Sequence, residues 1–168
     1  ELKPPQLPVF IGRPGLEKEK KYSELLPKEI ADLYHSYIDG TIRAVESFKP
    51  DIIHVHHIMV NAWAARFIRS IYGTRFILTS HGSCLHAISR DRRYFRMTRD
   101  ALWAASAVTV VSGDTRGKLL KTFGTGLSNK TRTIPGGIRL SLFPADKSVE
   151  SVRKKFNFGD KKVALFTG

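Results

Sequence analysis

The chain holds one cysteine, Cys84, in 168 residues. No disulfide can close within it, so a packed core must carry its stability, and the composition fits a reducing compartment. Long apolar runs are also missing: none approaches the roughly 20 residues that a membrane-spanning helix needs. Glu1-Leu2-Lys3-Pro4-Pro5 has no apolar targeting core, as a processed or truncated N-terminus would also show. The expected location is therefore cytoplasmic, including the cytoplasmic face of a membrane. Acidic residues are scarce: 15 Asp and Glu face 28 Lys and Arg, a formal charge of +13. Such an excess draws anions, whether nucleic acid, lipid headgroups or phosphorylated substrates, and does not choose among them. Several catalytic signatures are absent. There is no Walker loop and no Gly-x-Gly-x-x-Gly, no Gly-x-Ser-x-Gly elbow, and no recognisable pair of hydrolase carboxylates. Cys84 has no evident partner base and reads as a small half-buried thiol.

What is present suits one α/β domain, or one domain and the start of a second. Hydrophobic residues make up 42% and charged residues 26%, the balance of a folded globular protein. Residues 7–11 suggest a short strand, and the Lys-rich stretch 17–21 a loop. From Pro27, apolar residues recur at three- and four-residue spacing through Ile30, Leu33, Tyr34, Tyr37, Ile38, Ile42 and Val45, predicting a helix that Pro50 ends. Further strands are predicted at 51–56, 75–80, 107–111, 130–134 and 162–166. Helices are predicted at 60–72, at 90–105, from a cap at Asp114 to about Phe123, and at 148–156. Regular alternation of this kind implies a Rossmann-like parallel sheet with helices on both faces.

Ligands of such sheets bind outside the carboxyl ends of the strands. Those ends read His56-His57, His81-Gly82-Ser83, Ser112-Gly113 and Pro135-Gly136-Gly137. Turn chemistry alone would place Gly and Ser there, but the two histidine-bearing ends point to a site. His81 closes an apolar strand and precedes a glycine that admits close backbone approach. Its imidazole can hydrogen-bond a sugar hydroxyl or pass a proton near neutral pH. His54 and His56 share one strand face and His57 the other. Metal ligation has little support beside them, and His54 is expected to pack under a helix.

Arg90, Arg92, Arg93, Arg96 and Arg99, with Tyr94, Phe95 and Trp103, make the predicted helix at 90–105 basic and aromatic. Arg92, Arg93 and Arg96 are candidates for contact with an anion or an anionic membrane surface; a solvated helix face is the plainer alternative. The basic stretch from Lys147 to Lys162 reads as a linker surface. No nucleic-acid-binding module is recognisable.

Several segments together resemble glycosyltransferase family 4, the retaining GT-B enzymes that use nucleotide sugars. Phe48-Lys-Pro-Asp-Ile-Ile-His-Val-His-His57 resembles the family's "rPDvvHaHh" strand, and Ile77-Leu-Thr-Ser-His-Gly82 its strand ending in His-Gly. Ala104-Ala-Ser-Ala-Val-Thr-Val-Val-Ser112 resembles "aDavxxvS". Thr133-Ile-Pro-Gly-Gly-Ile-Arg-Leu-Ser-Leu-Phe143 resembles "viPNGvDxxxF", and Lys162-Val-Ala-Leu-Phe-Thr-Gly168 the first strand of the second domain.

The resemblance implies the truncated N-terminal half of a GT-B architecture. Residues 1–144 would form the acceptor-side domain without its opening strand and loop, 145–160 the linker, and 161–168 the first strand of the donor-binding domain. It implies a UDP- or GDP-linked sugar as donor, a lipid-linked or glycan acceptor, and no cofactor or required metal, because helix dipoles and basic side chains hold the diphosphate. His81 matches the catalytic-cleft histidine, Ser112 the serine closing its strand, and Gly137 the glycine of the inter-domain turn. His56, His57, Gly82, Ser83, Gly136 and Arg139 complete the implied substrate-binding set. Gly136 departs from the usual Asn and Arg139 from the usual Asp, which alters the turn or the approach to the diphosphate. The chain alone is expected to be inactive. The rival readings are a non-catalytic module docking its basic helix on a membrane or polyanion, and an unrelated nucleotide-binding Rossmann domain.

Overall fold

The computed structural model describes residues 7–10, 15, 18–142 and 148–164. The chain divides into two compact units, Glu1–Pro135 and Gly136–Gly168. In the first, helix α1 (Pro27–Phe48) precedes strand β1 (Ile52–His56), followed by α2 (Val60–Tyr72), β2 (Arg75–Ser80), α3 (Ser83–Arg90), α4 (Phe95–Ala104), β3 (Ala107–Val110), α5 (Gly113–Phe123) and β4 (Thr131–Thr133). The second carries a 3-10 turn at Leu140–Leu142 and helix α6 (Val149–Lys155).

The four strands form one parallel sheet in the order β1-β2-β3-β4. The architecture is α/β with helices flanking the sheet, a Rossmann-like half domain. Burial alternates along β1 and β3 and along β2 as far as Leu78, after which Thr79 and Ser80 are buried as well. Val55, Phe76, Leu78, Val108 and Val110 are buried and join one core with Ala62, Trp63 and Ile68 of α2, Leu85 and Ile88 of α3, and Leu119 of α5. Burying a side chain such as Phe76 or Leu78 contributes about 1.5–3 kcal/mol. The intervening residues Ile52, His54, His56, Arg75 and Arg132 are exposed. Helix α2 packs on β1 and β2 and also against α1 and α4, so it is buried on nearly every side.

Local chemistry sets the helix ends. Pro27 occupies the first position of α1, the Glu29 carboxylate accepts from the Leu26 amide at 2.8 Å, and Lys49 ends the helix in the left-handed region (φ 49°) just before Pro50. Helix α5 starts at Ser112, whose Oγ accepts from the Thr115 amide at 3.1 Å; Asp114, the expected cap, sits in the first turn and pairs with Lys118 at 2.8 Å.

The largest departure from expectation lies between residues 83 and 95. The predicted helix 90–105 is two structures, a 3-10 turn at Arg92–Tyr94 and then α4, and α3 was not predicted at all. Asp91 separates α3 from the 3-10 turn. Its backbone is extended (φ −127°, ψ 101°), and its carboxylate accepts from the Arg93 amide at 3.1 Å. That side-chain bond competes with helix and turns the chain. In the predicted strand 7–11, Val9 makes a single parallel bridge to Lys21, and Ile11 lies outside the described residues. Of the predicted strand 162–166, residues 162–164 have no regular structure and the remainder lies outside the described residues, as do Phe143 and Lys147.

Candidate functional site

Parallel pairing in register brings the carboxyl ends of β1 and β2 side by side: His56 stands opposite Thr79, and Thr79 opposite Thr109. His81 follows β2 directly. His56 Nδ1 and His81 Nε2 are 2.9 Å apart, so one ring must donate a proton that the other accepts. The rings lie nearly parallel, with centroids 5.2 Å apart. His57 joins them from the turn after β1, its ring 4.8 Å from His81 and 4.6 Å from Phe10.

His57 has a left-handed backbone (φ 68°), rare for a residue with a side chain. Its amide donates to the Thr79 carbonyl at 2.8 Å, extending the ladder by one bond past β1. Its Nδ1 is buried with no hydrogen-bond partner among the described residues. Asn61, in the first turn of α2, donates to the His56 carbonyl at 2.6 Å and ties the helix start to the same strand end.

His54 is exposed and packs under no helix, contrary to expectation. It lies one register step below His56, with ring centroids 4.4 Å apart. Its Nε2 is 2.7 Å from Thr79 Oγ1, which is 2.6 Å from Thr109 Oγ1, so a polar chain crosses three strands. Thr79, Thr109, Asn61 and Phe10 escaped the sequence reading. A threonine in phase with His54 and His56 on the neighbouring strand was the available signal for Thr79; nothing local marks Phe10.

Gly82 has φ 94°, which only glycine adopts without strain, and a Cβ there would lie 3.7 Å from Thr115 Oγ1. That hydroxyl is 2.9 Å from Ser112 Oγ. Ser112 thus sits one side chain away from the His81-Gly82 turn, and Ser83 begins α3 beside it. Cys84 is fully buried rather than half-buried, with its sulfur 3.4 Å from Ser80 Oγ. Gly136, Gly137 and Arg139 belong to the second unit, where all are exposed. Arg92 and Arg93 lie in the 3-10 turn and Arg96 in α4. Among the described residues no group of three or more His, Cys, Asp or Glu is arranged to hold a metal ion, and no helix is long and apolar enough to cross a membrane.

Partial desolvation at the crowded rim holds His54, His57 and His81 below the ordinary histidine pKa, though His54 and His81 keep an exposed face, and neighbouring imidazoles push those two further down. Protonation therefore favours the unfolded chain. The stability these three neutral rings allow is fully present above about pH 6.5 and is lost as pH falls through the lower folded-state values. Glu24, Glu29 and Asp91 have lowered pKa values and titrate in a more acidic window. The urea midpoint is accordingly expected to drop between about pH 7 and pH 5, and to drop less in a His54→Gln/His57→Asn double variant. Equal slopes for the two proteins would refute this account.

Residues 13–142 match the sequence profile described as Glycosyltransferase Family 4. No curated protein matches the chain closely enough to count as a relative.

Proposed function

The chain belongs to glycosyltransferase family 4, and from that premise we propose that it supplies the acceptor side of a retaining transfer from a UDP- or GDP-linked sugar to a lipid-linked or glycan acceptor. Membership by itself gives a glycosyltransferase-type function and sugar-related substrates. The observation that supports the finer reading is the imidazole pair of His56 and His81, held 2.9 Å apart at the carboxyl rim of the sheet and exposed.

Such a pair suits hydroxyl recognition. With one N–H spent between the rings, the remaining ring nitrogens can donate to or accept from sugar hydroxyls. Partial desolvation and neighbouring imidazoles keep His81 neutral near pH 7, so it can accept a hydroxyl hydrogen bond without placing a cation beside the sugar. In this reading His81 contacts the reacting sugar, while His56 fixes its orientation. His57, Gly82, Ser83 and Ser112 shape the acceptor rim. Gly136, Gly137 and Arg139 offer unobstructed backbone and a cation for the donor diphosphate, whose leaving phosphate takes the acceptor proton on the face of attack.

The protein contains six histidines. Four are the clustered rings, and His35 in α1 and His86 in α3 lie on helices. Imidazole NMR during titration with glycan and lipid-linked acceptors is expected to shift His56, His57 and His81 and leave His35 and His86 in place. Shifts confined to His35 or His86, or no shift with any acceptor tried, would argue against an acceptor site at this rim.

A further inference from the structure

The arginines around α4 divide into two groups. Arg93 turns inward. It reaches the Asp91 carboxylate at 2.6 and 3.0 Å, the Leu25 carbonyl at 2.7 Å and the Ser23 carbonyl at 3.2 Å. Its donors are committed to the Asp91 carboxylate and to the segment before α1, so although the side chain stays exposed, none of its nitrogens is left free for a ligand. Arg92, Arg96 and Arg99 are exposed. Arg96, Arg99 and Trp103 recur on α4 at spacings of three and four residues and so share one helix face, which Arg92 joins from the preceding 3-10 turn. With Phe95 and Asp100 they line one open concavity.

That stripe mixes cations with firmly held apolar groups. The Arg92 guanidinium lies 3.9 Å above the Phe95 ring, which stacks on Phe123 at 5.1 Å. Trp103 is 47% exposed. The Trp103 indole rests against Gly126, where a Cβ would fall 2.6 Å from its Cη2. The carbonyl of Trp103 accepts from Lys130 at 2.5 Å. Asp100, the acidic member of the concavity, lies 3.1 Å from Arg66 Nε, so its charge is offset.

We propose that this stripe docks the protein peripherally on an anionic membrane surface, with Arg92, Arg96 and Arg99 on lipid phosphates and Trp103 at the headgroup boundary. Charge complementarity supplies the attraction, and an exposed, anchored indole suits the water–lipid boundary. A single-stranded nucleic acid fits less well: it needs free aromatic faces for stacking, whereas Arg92 covers Phe95 and Gly126 backs Trp103. The proposal rests on this surface and stands apart from the acceptor reading.

The test is co-sedimentation of the chain with phosphatidylcholine vesicles, with and without phosphatidylglycerol, together with tryptophan emission. Trp63 is buried, so a blue shift on adding vesicles reports Trp103, the other of the two tryptophans. Binding is expected only with the anionic lipid and to weaken with salt. Each Arg→Ala change at 92, 96 or 99 should reduce it roughly fivefold. Arg96→Glu with Arg99→Glu should abolish it, and Trp103→Phe should remove the spectral shift; circular dichroism checks that the variants stay folded. Equal binding to neutral vesicles, a charge-reversed variant that still sediments, or unmoved emission would each overturn the proposal. So would loss of RNA or heparin binding in the charge-reversed variant when native protein ignores vesicles.

Discussion

Replacing Tyr94 by alanine is expected to cost about 3–5 kcal/mol of stability and to loosen the histidine site with it. Tyr94 is fully buried, and its hydroxyl donates to the Tyr22 carbonyl at 2.7 Å. Burial pushes its phenol up to about 12, so the group remains a donor across the working pH range. Its ring meets Tyr22 edge-on at 5.7 Å and Trp63 at 5.8 Å. Tyr22 stacks on Phe10 at 4.9 Å, and Phe10 lies 4.6 Å from the His57 ring. Four rings in series thus connect the core to the imidazole cluster. Truncation at Tyr94 opens a cavity, removes one of the two hydrogen bonds to the Tyr22 carbonyl and takes away the support behind Phe10. Tyr94→Phe isolates the hydroxyl: it keeps the ring and removes one of the two hydrogen bonds to the Tyr22 carbonyl, which still accepts from the Leu25 amide at 3.4 Å, a loss of about 0.5–1.5 kcal/mol. Urea midpoints order the three proteins, and the His57 NMR signal should move in the alanine variant more than in the phenylalanine variant. An alanine variant with an unchanged midpoint would show that the ring series carries no weight.

The sequence signals that worked were local and periodic. Pro27 and Pro50 bracketed α1, Gly73 closed α2, and the run Arg75–Ser80 was recognisable as β2 because apolar residues end abruptly at a polar turn. Between 83 and 95 the same reasoning failed. The segment Ser83–Arg90 lacks a side-chain N-cap, since Gly82 precedes it, and Asp91 breaks the chain where the Arg-rich pattern reads as continuous helix. The site was legible where chemistry sits on a strand end, as at His56 and His81. It was illegible where one residue depends on a distant one. The pairing of His54 with Thr79, the placement of Phe10 behind His57 and the diversion of Arg93 to the carbonyls of Ser23 and Leu25 are all products of tertiary packing, which periodicity does not encode. Arg93 is the instructive case: by composition it was equivalent to Arg92 and Arg96, and only an acid two residues upstream and two distant carbonyls distinguish it.

In an enzyme that pairs this chain with a donor-binding domain, changing His81 to alanine is expected to lower the rate of sugar transfer by about 10²–10³-fold with little change in the unfolding transition. The stability side follows from exposure. His81 is exposed, and its direct bond is to His56, so truncation opens no cavity in the core. The rate side follows from the proposed contact with the reacting sugar, and it divides into measurable parts. If His81 bonds a hydroxyl mainly in the transition state, kcat falls and KM stays nearly constant. His81→Asn keeps a donor and an acceptor but cannot accept a proton, so it should recover part of kcat and flatten the acidic limb of the pH–rate profile. His56→Ala acts through orientation and should cost less than His81→Ala; a double variant no worse than His81→Ala alone would show the two rings working as a unit. A His81→Ala enzyme with wild-type kcat and KM would remove the histidine from the reaction, and with it the reason for placing acceptor chemistry at this rim.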